Sequence, residues 1–117
     1  MTDRKQALMD LRDKVKAGNF SNMNILTACD LAQLGGHDKV SAYRAYHGSL
    51  DAAKALHEAV LPGWVYGISF DSYGELYAFV SDGIVFETDE VYNIEPARAW
   101  LLAILEALIA QEEQCEQ

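Results

Sequence analysis

Only 2 prolines and 2 cysteines occur among the 117 residues, and 9 Lys and Arg stand against 18 Asp and Glu. Each scarcity excludes something. Cys29 and Cys115 lie 86 positions apart and share no metal-type spacing. The amphipathic, charged N-terminal stretch lacks the apolar core of a signal peptide, so two reduced thiols in a cytoplasmic protein are the expectation. No apolar run approaches the roughly 18 residues that a membrane span requires. There is no His-x-x-x-His or Cys-x-x-Cys pair, no glycine-rich phosphate cradle and no G-x-S-x-G elbow. The shortage of positive charge, a formal −9, argues against nucleic-acid phosphate or an anionic membrane as a ligand, because both repel an acidic domain.

What is present is a chain that folds unaided. Half of it is hydrophobic, too much for disorder. Its length suits one domain over 1–117, able to bury roughly two-thirds of the surface its unfolded state exposes. The charge is segregated. Residues 1–20 carry a net +2, residues 21–63 a net −1, and residues 64–117 a net −10, with Arg98 as the single base of that last stretch.

Periodicity divides the chain into a helical part over about 1–61, a sheet over about 64–90 and a last helix over about 96–113. Thr2 is a candidate N-cap for a first helix whose Leu8, Leu11 and Val15 recur at helical spacing, with Gly18 offering the left-handed stop. A second helix spans about Met23–Leu34, entered through Ser21 or Asn22 and ended by Gly35-Gly36. Residues 37–48 read as a short helical or extended connection. Ser49 caps a further helix through Leu61, which Pro62-Gly63 stops. From Trp64 the period changes to two. Strands are predicted over Trp64–Phe70, Glu75–Ser81 and Ile84–Asp89, joined at Asp71-Ser72-Tyr73-Gly74 and Asp82-Gly83. The middle strand is apolar on both faces, which predicts a central strand covered on both sides. Pro96 opens the last helix. Its apolar residues exceed what one buried face needs, which points to contact with another helix or subunit.

The fold class expected is α+β, a three-layer α/β/α sandwich around an antiparallel sheet of about three strands. One sheet face would take the 49–61 and 96–112 helices, the other one or both N-terminal helices.

Candidate chemistry is sparse. His47, Ser49 and Asp51 have the residue types of a triad, but they straddle a helix start, where Ser and Asp serve as cap and dipole partner. His37, His47 and His57 recur every ten residues without ligand spacing and read as surface or half-buried histidines. Cys29 lies on the apolar side of its helix, unsuited to thiol catalysis. Glu87, Asp89 and Glu90 form the densest acidic cluster, without the alternation of a Ca²⁺ loop. Tyr73 and Tyr92 are the aromatics expected at the surface, where tyrosine is a typical interface anchor. The candidate partner-binding residues are therefore Tyr73, Glu75, Glu87, Asp89, Glu90 and Tyr92. No catalytic, cofactor-binding or metal residues are expected.

Three blocks in order carry a resemblance. They are Leu11-Arg12-Asp13-Lys14-Val15, then Gly48-Ser49-Leu50-Asp51-Ala52-Ala53 through Leu61-Pro62-Gly63-Trp64, and Pro96-Ala97-Arg98-Ala99-Trp100-Leu101-Leu102-Ala103-Ile104-Leu105. Over about residues 8–110 the chain resembles the phage ABA-sandwich domain family, small proteins of tailed phages and prophages. It departs over 19–47, where many relatives carry a Pro- and Trp-rich insertion. The resemblance implies the three-layer fold and a phage or prophage origin, and it supplies no catalytic residues.

The function expected is that of a non-enzymatic phage or prophage accessory protein that binds a host or phage protein, one with a basic surface, in the host cytoplasm. Two alternatives are an acidic nucleic-acid mimic that blocks a host defence or nucleic-acid-handling protein, and a structural homo-oligomer assembled through the 96–112 helix. An enzyme has the least support.

Overall fold

The computed structural model describes residues 4–18, 22–84, 86–93 and 95–115. Five helices and three strands follow in the order α1 (Arg4–Ala17), α2 (Asn22–Leu31), α3 (His37–Tyr46), α4 (Leu50–Val60), β1 (Val65–Phe70), β2 (Leu76–Ser81), β3 (Val91–Tyr92) and α5 (Pro96–Cys115). The α+β class is as the sequence predicts, with helices flanking a three-stranded antiparallel sheet of order β1-β2-β3. Thr2 and Ser21, the expected entry residues of the first two helices, lie outside the described residues.

α5 is the hub. Ala97, Ala99, Trp100, every residue from Leu101 to Leu105, Ala107, Leu108 and Ile109 are buried, so nearly its whole circumference is enclosed. α1, α3 and α4 pack on it from the helical side, and β2 and β3 pack on it from the sheet. Its surplus of apolar residues is therefore consumed within one chain. Of the two expected partners for these residues, another helix or another subunit, other helices and the sheet of the same chain take up the described ones, so they lend no support to homo-oligomerisation through the 96–112 helix.

The start of α4, the start of α5 and the end of α2 show how side chains set the helix ends. Ser49 Oγ accepts from Ala52 N at 3.1 Å, the predicted cap of α4. At the start of α5, Glu95 Oε1 accepts from Ala97 N at 3.2 Å, which places a carboxylate at the positive end of the dipole. α2 stops earlier than Gly35-Gly36 would dictate. Leu34 N reaches back to Cys29 O at 2.9 Å and Gln33 N to Asp30 O at 3.0 Å, with the buried Leu34 completing the hydrophobic contact. This is a Schellman closure. Gln33 takes its left-handed position, at φ 63°, where glycine is the usual occupant. The ambiguous segment 37–48 forms α3, burying Ala42, Ala45 and Tyr46 while Val40 stays exposed.

The sheet departs from expectation in two ways. First, the N-terminal helices do not cover its second face. α5 packs on the strands, joined by His57 of α4, whose ring meets Tyr66 edge-on with centroids 5.2 Å apart, while α1 packs on α5 and α2. The face carrying Ile68, Ala78, Val80 and Val91 meets the core. On the other face β2 shields itself. Phe79 lies flat over Gly67, where an added Cβ would sit only 2.3 Å from the ring, and Tyr77 packs against Tyr92 with ring centroids 5.7 Å apart.

Second, among the described residues the predicted strand over 84–89 shows a single bridge, Ser81↔Glu87, and regular pairing resumes at Val91–Tyr92. Polar side chains capture the backbone here. Asp82 Oδ1 accepts from Ile84 N and Phe86 N, Ser81 Oγ donates to Phe86 O, and Thr88 Oγ1 accepts from Val80 N. These local bonds compete with the ladder. The register then slips by one residue, so Asp89 and Glu90 together oppose Phe79, the count of a β-bulge.

Two substitutions check this account. Gln33→Gly removes the left-handed strain of an L-residue at a slight entropic cost, and should raise stability by about 0.5–1 kcal/mol, read as a higher urea midpoint.

The second concerns His57, which is 2% exposed and not the surface or half-buried residue expected. Trp100 Nε1–H donates to its Nδ1 at 3.3 Å, so Nε2 holds the proton and donates to Trp64 O at 2.9 Å. His57→Phe orphans both the indole N–H and the carbonyl, and should cost on the order of 3 kcal/mol in the same unfolding measurement.

Candidate functional site

The six candidate residues divide between the β3 side of the sheet and the β1–β2 hairpin. Glu87, Asp89, Glu90 and Tyr92 line one cleft of about 690 Å³, between the 86–92 segment and the two helices α1 and α5. Glu75 lines a neighbouring hollow of about 460 Å³ with Phe70, Leu76 and Tyr92, so Tyr92 borders both. Tyr73 lines neither. It stands at the hairpin tip, 89% exposed.

Asp71 ties these parts together. Its Oδ1 accepts from Tyr73 N at 2.8 Å and Glu75 N at 3.0 Å, which shapes the loop that carries both residues. The backbone N–H of Glu75, with those of Tyr73 and Gly74 and the Tyr92 hydroxyl, holds the Asp71 carboxyl below its ordinary value. Tyr92 donates its O–H to Glu90 Oε2 at 2.7 Å. That bond, with the nearby Asp71 charge, pushes the phenol well above its ordinary value. Tyr73, Glu75, Glu90 and Tyr92 thus belong to one network around a carboxylate that the sequence presents only as a turn residue.

The basic residues of the cleft, Arg12 and Lys16, are an addition from the structure. Arg12 Nη1 donates to Glu106 Oε1 at 2.9 Å, a contact across 94 residues. Arg4 lies 4.0 Å from Glu112 and Lys5 3.8 Å from Glu113. The basic first helix is therefore laid along the acidic last one. Spacing on α1 shows that Arg12 and Lys16 share a face, but nothing local says which carboxylates they meet. Arg98 is absorbed differently. Its Nε donates to Tyr46 O at 2.6 Å, and the guanidinium lies 4.2 Å from the centroid of the Tyr46 ring.

With α5's carboxylates engaged by α1, the acid left without a salt bridge among the described residues includes Glu75, Glu87, Asp89 and Glu90. The arrangement suits recognition of a cationic surface: carboxylates exposed around tyrosines, on a segment bulged away from the ladder.

The other candidates resolve as structural groups. Ser49 is engaged as a cap, and the His47 ring packs edge-on against Tyr43 and Tyr46. Cys29 is fully buried, and burial, assisted by the Asp30 charge, pushes its thiol up from an ordinary 9.0 to about 11. Among the described residues no group of three or more His, Cys, Asp or Glu could hold a metal ion, and no helix is long and apolar enough to cross a membrane. Comparison of the chain with models of protein families, with curated proteins and with solved structures gives no match.

The Cys29 thiol supplies a test. With Cys115→Ser leaving one thiol, alkylation at pH 8 should be slow in the native protein and fast in urea, because the thiolate is the nucleophile. The sign of the linked stability follows. The unfolded thiol ionises near 9.0 and the folded one near 11, so stability conferred by the neutral thiol is present below pH 9 and lost as pH rises through that window. Urea midpoints of this variant, with and without Cys29→Ala, measure that loss.

Proposed function

We propose that this chain is a non-enzymatic phage or prophage accessory protein that acts by binding a protein with a basic surface. The phage origin rests on the resemblance of its three sequence blocks. The binding role rests on one observation: Glu87, Asp89 and Glu90 run in sequence beside Tyr92 along one cleft, without salt bridges among the described residues. Exposed carboxylates of this kind steer a cationic partner and set its orientation. Tyr73 and Tyr92 supply the amphipathic area that anchors a contact.

The nucleic-acid-mimic reading draws less support. A mimic needs its carboxylates in a phosphate-like row, and Glu106, Glu112 and Glu113 instead face Arg12, Arg4 and Lys5.

Capture from host cells on the tagged wild-type chain, beside a variant carrying Glu87→Lys, Asp89→Lys and Glu90→Lys, tests the reading. Opposed like charges cost several kcal/mol, so the partner's affinity should fall on the order of a hundredfold in the variant. It should also weaken as salt rises. Equal retention of the same proteins by both chains would refute the assignment.

A further inference from the structure

The free long edge of the sheet is β1, on the side away from the acidic cleft. Its outward backbone groups can be assigned. Asp71 N donates to Glu75 O, while Val80, opposite Tyr66, exchanges its bonds with Thr88 on the other side. Antiparallel pairs alternate, so Val65, Gly67 and Ser69 turn their N–H and C=O toward β2. Tyr66, Ile68 and Phe70 turn theirs outward, and no described residue bonds to them.

Exposed edges are ordinarily blunted by lysine, proline, a bulge or shortness. This one has none of these. Residues 64–70 carry no charge and no proline, and all six strand residues pair with β2 in one unbroken register. Phe70 is nevertheless 65% exposed and Tyr66 44%.

We propose that β1 is a dimerisation edge, pairing antiparallel with β1 of a second copy of this chain about a two-fold axis through Ile68. The parity of the strand dictates that register. A two-fold axis perpendicular to the sheet pairs each residue with one of its own face, and only the outward residues can exchange bonds. Ile68 then opposes its copy, and Tyr66 opposes the second copy's Phe70. Each outward N–H and C=O gains a partner, an isologous arrangement in which one surface complements itself.

The side chains agree with this. Tyr66 is held rigid, stacked on Trp100 with centroids 4.1 Å apart, and a hollow of about 380 Å³ opens beside it among His57, Leu61, Trp64 and Lys54. The register delivers the second copy's Phe70 next to that hollow, on the same face. The edge complements itself, since the register that satisfies its outward groups also sets Tyr66 against Phe70, and the segment 64–70 carries none of the chain's −9, so two copies meet there without local like-charge repulsion. This pairing makes no use of Glu87, Asp89 or Glu90, which lie on the β3 side of the sheet.

Sedimentation of the full chain from micromolar to millimolar concentration reads the outcome. The mass should rise from 13.0 kDa toward twice that value, and more readily at high salt, where repulsion between the two acidic chains is screened. Phe70→Lys, a change at an exposed side chain, should stay monomeric, while Tyr73→Lys at the hairpin tip should still dimerise. Hydrogen exchange on the unsubstituted chain gives a readout independent of any variant. The amides of Tyr66, Ile68 and Phe70 should become protected as concentration rises, whereas those of Gly67 and Ser69 are protected throughout. A monomer over the whole range, an unaltered dimer in Phe70→Lys, or fast exchange at Ile68 at millimolar concentration would each overturn the proposal.

Discussion

Enclosure of α5 on all sides is the constraint from which the rest of the structure follows. A helix with Leu101, Leu102, Ile104, Leu105 and Leu108 spread around its circumference cannot satisfy itself against a single neighbour. Each of these side chains gains about 2 kcal/mol when it leaves water, so the chain is driven to wrap the helix. Three helices take one part of its surface and the sheet takes another. The small residues Ala97, Ala99, Ala103 and Ala107, all fully buried, let those neighbours approach. Glu106, near the middle of the helix, is half-buried and paired with Arg12, which positions α1 as well as satisfying the charge.

That packing also sorts the electrostatics. Seen along the chain, a basic beginning and an acidic end look like two separate surfaces. In the fold they are neighbours, and Arg4, Lys5 and Arg12 neutralise part of the acid on α5. The carboxylates around the hairpin and the 87–90 bulge, where Asp71 links the tyrosines to the acid, are among those left without a salt bridge. Exposed ion pairs contribute little to stability. Their larger consequence here is to decide which acidic residues remain available to a partner.

The sheet gains its particular character from the same arrangement. With the helices committed to α5, the second sheet face is shielded by its own aromatics, and the glycine at position 67 is what allows Phe79 to lie down on it. The two sides of the sheet then differ in chemistry. One is made irregular by polar side chains of 81–88 and by the bulge at Asp89 and Glu90, and it carries the acid. The other is continuous, uncharged and unpaired. Edge management in β-structure is usually achieved by charge or irregularity, and only the β3 side uses it.

Most elements were legible in the sequence because their signals are local. Leu8, Leu11 and Val15 at helical spacing, Ser49 before an apolar run, Pro62-Gly63 as a stop and the alternation from Trp64 to Phe70 each act within a few residues. α3 was ambiguous because its buried face consists of Ala42, Ala45 and Tyr46, too weak a pattern to separate from a connection. The end of α2 and the third strand were misplaced for a shared reason. Gln33 accepts a conformation favoured by glycine because Leu34 is buried by it, and the Thr88 hydroxyl takes the Val80 N–H that a regular ladder would give to a carbonyl. In both cases a tertiary or side-chain bond outweighed intrinsic preference. The candidate residues were found by type and exposure, but their grouping was not, since Arg12 meets Glu106 across 94 positions. Local pattern suffices for the class, for α1, α2, α4 and α5, for the first two strands and for the acidity of the C-terminal half. That α5 is spent inside the chain, which carboxylates lack a salt bridge and which strand edge stays open come from packing, because all three depend on contacts between residues that no local signal connects.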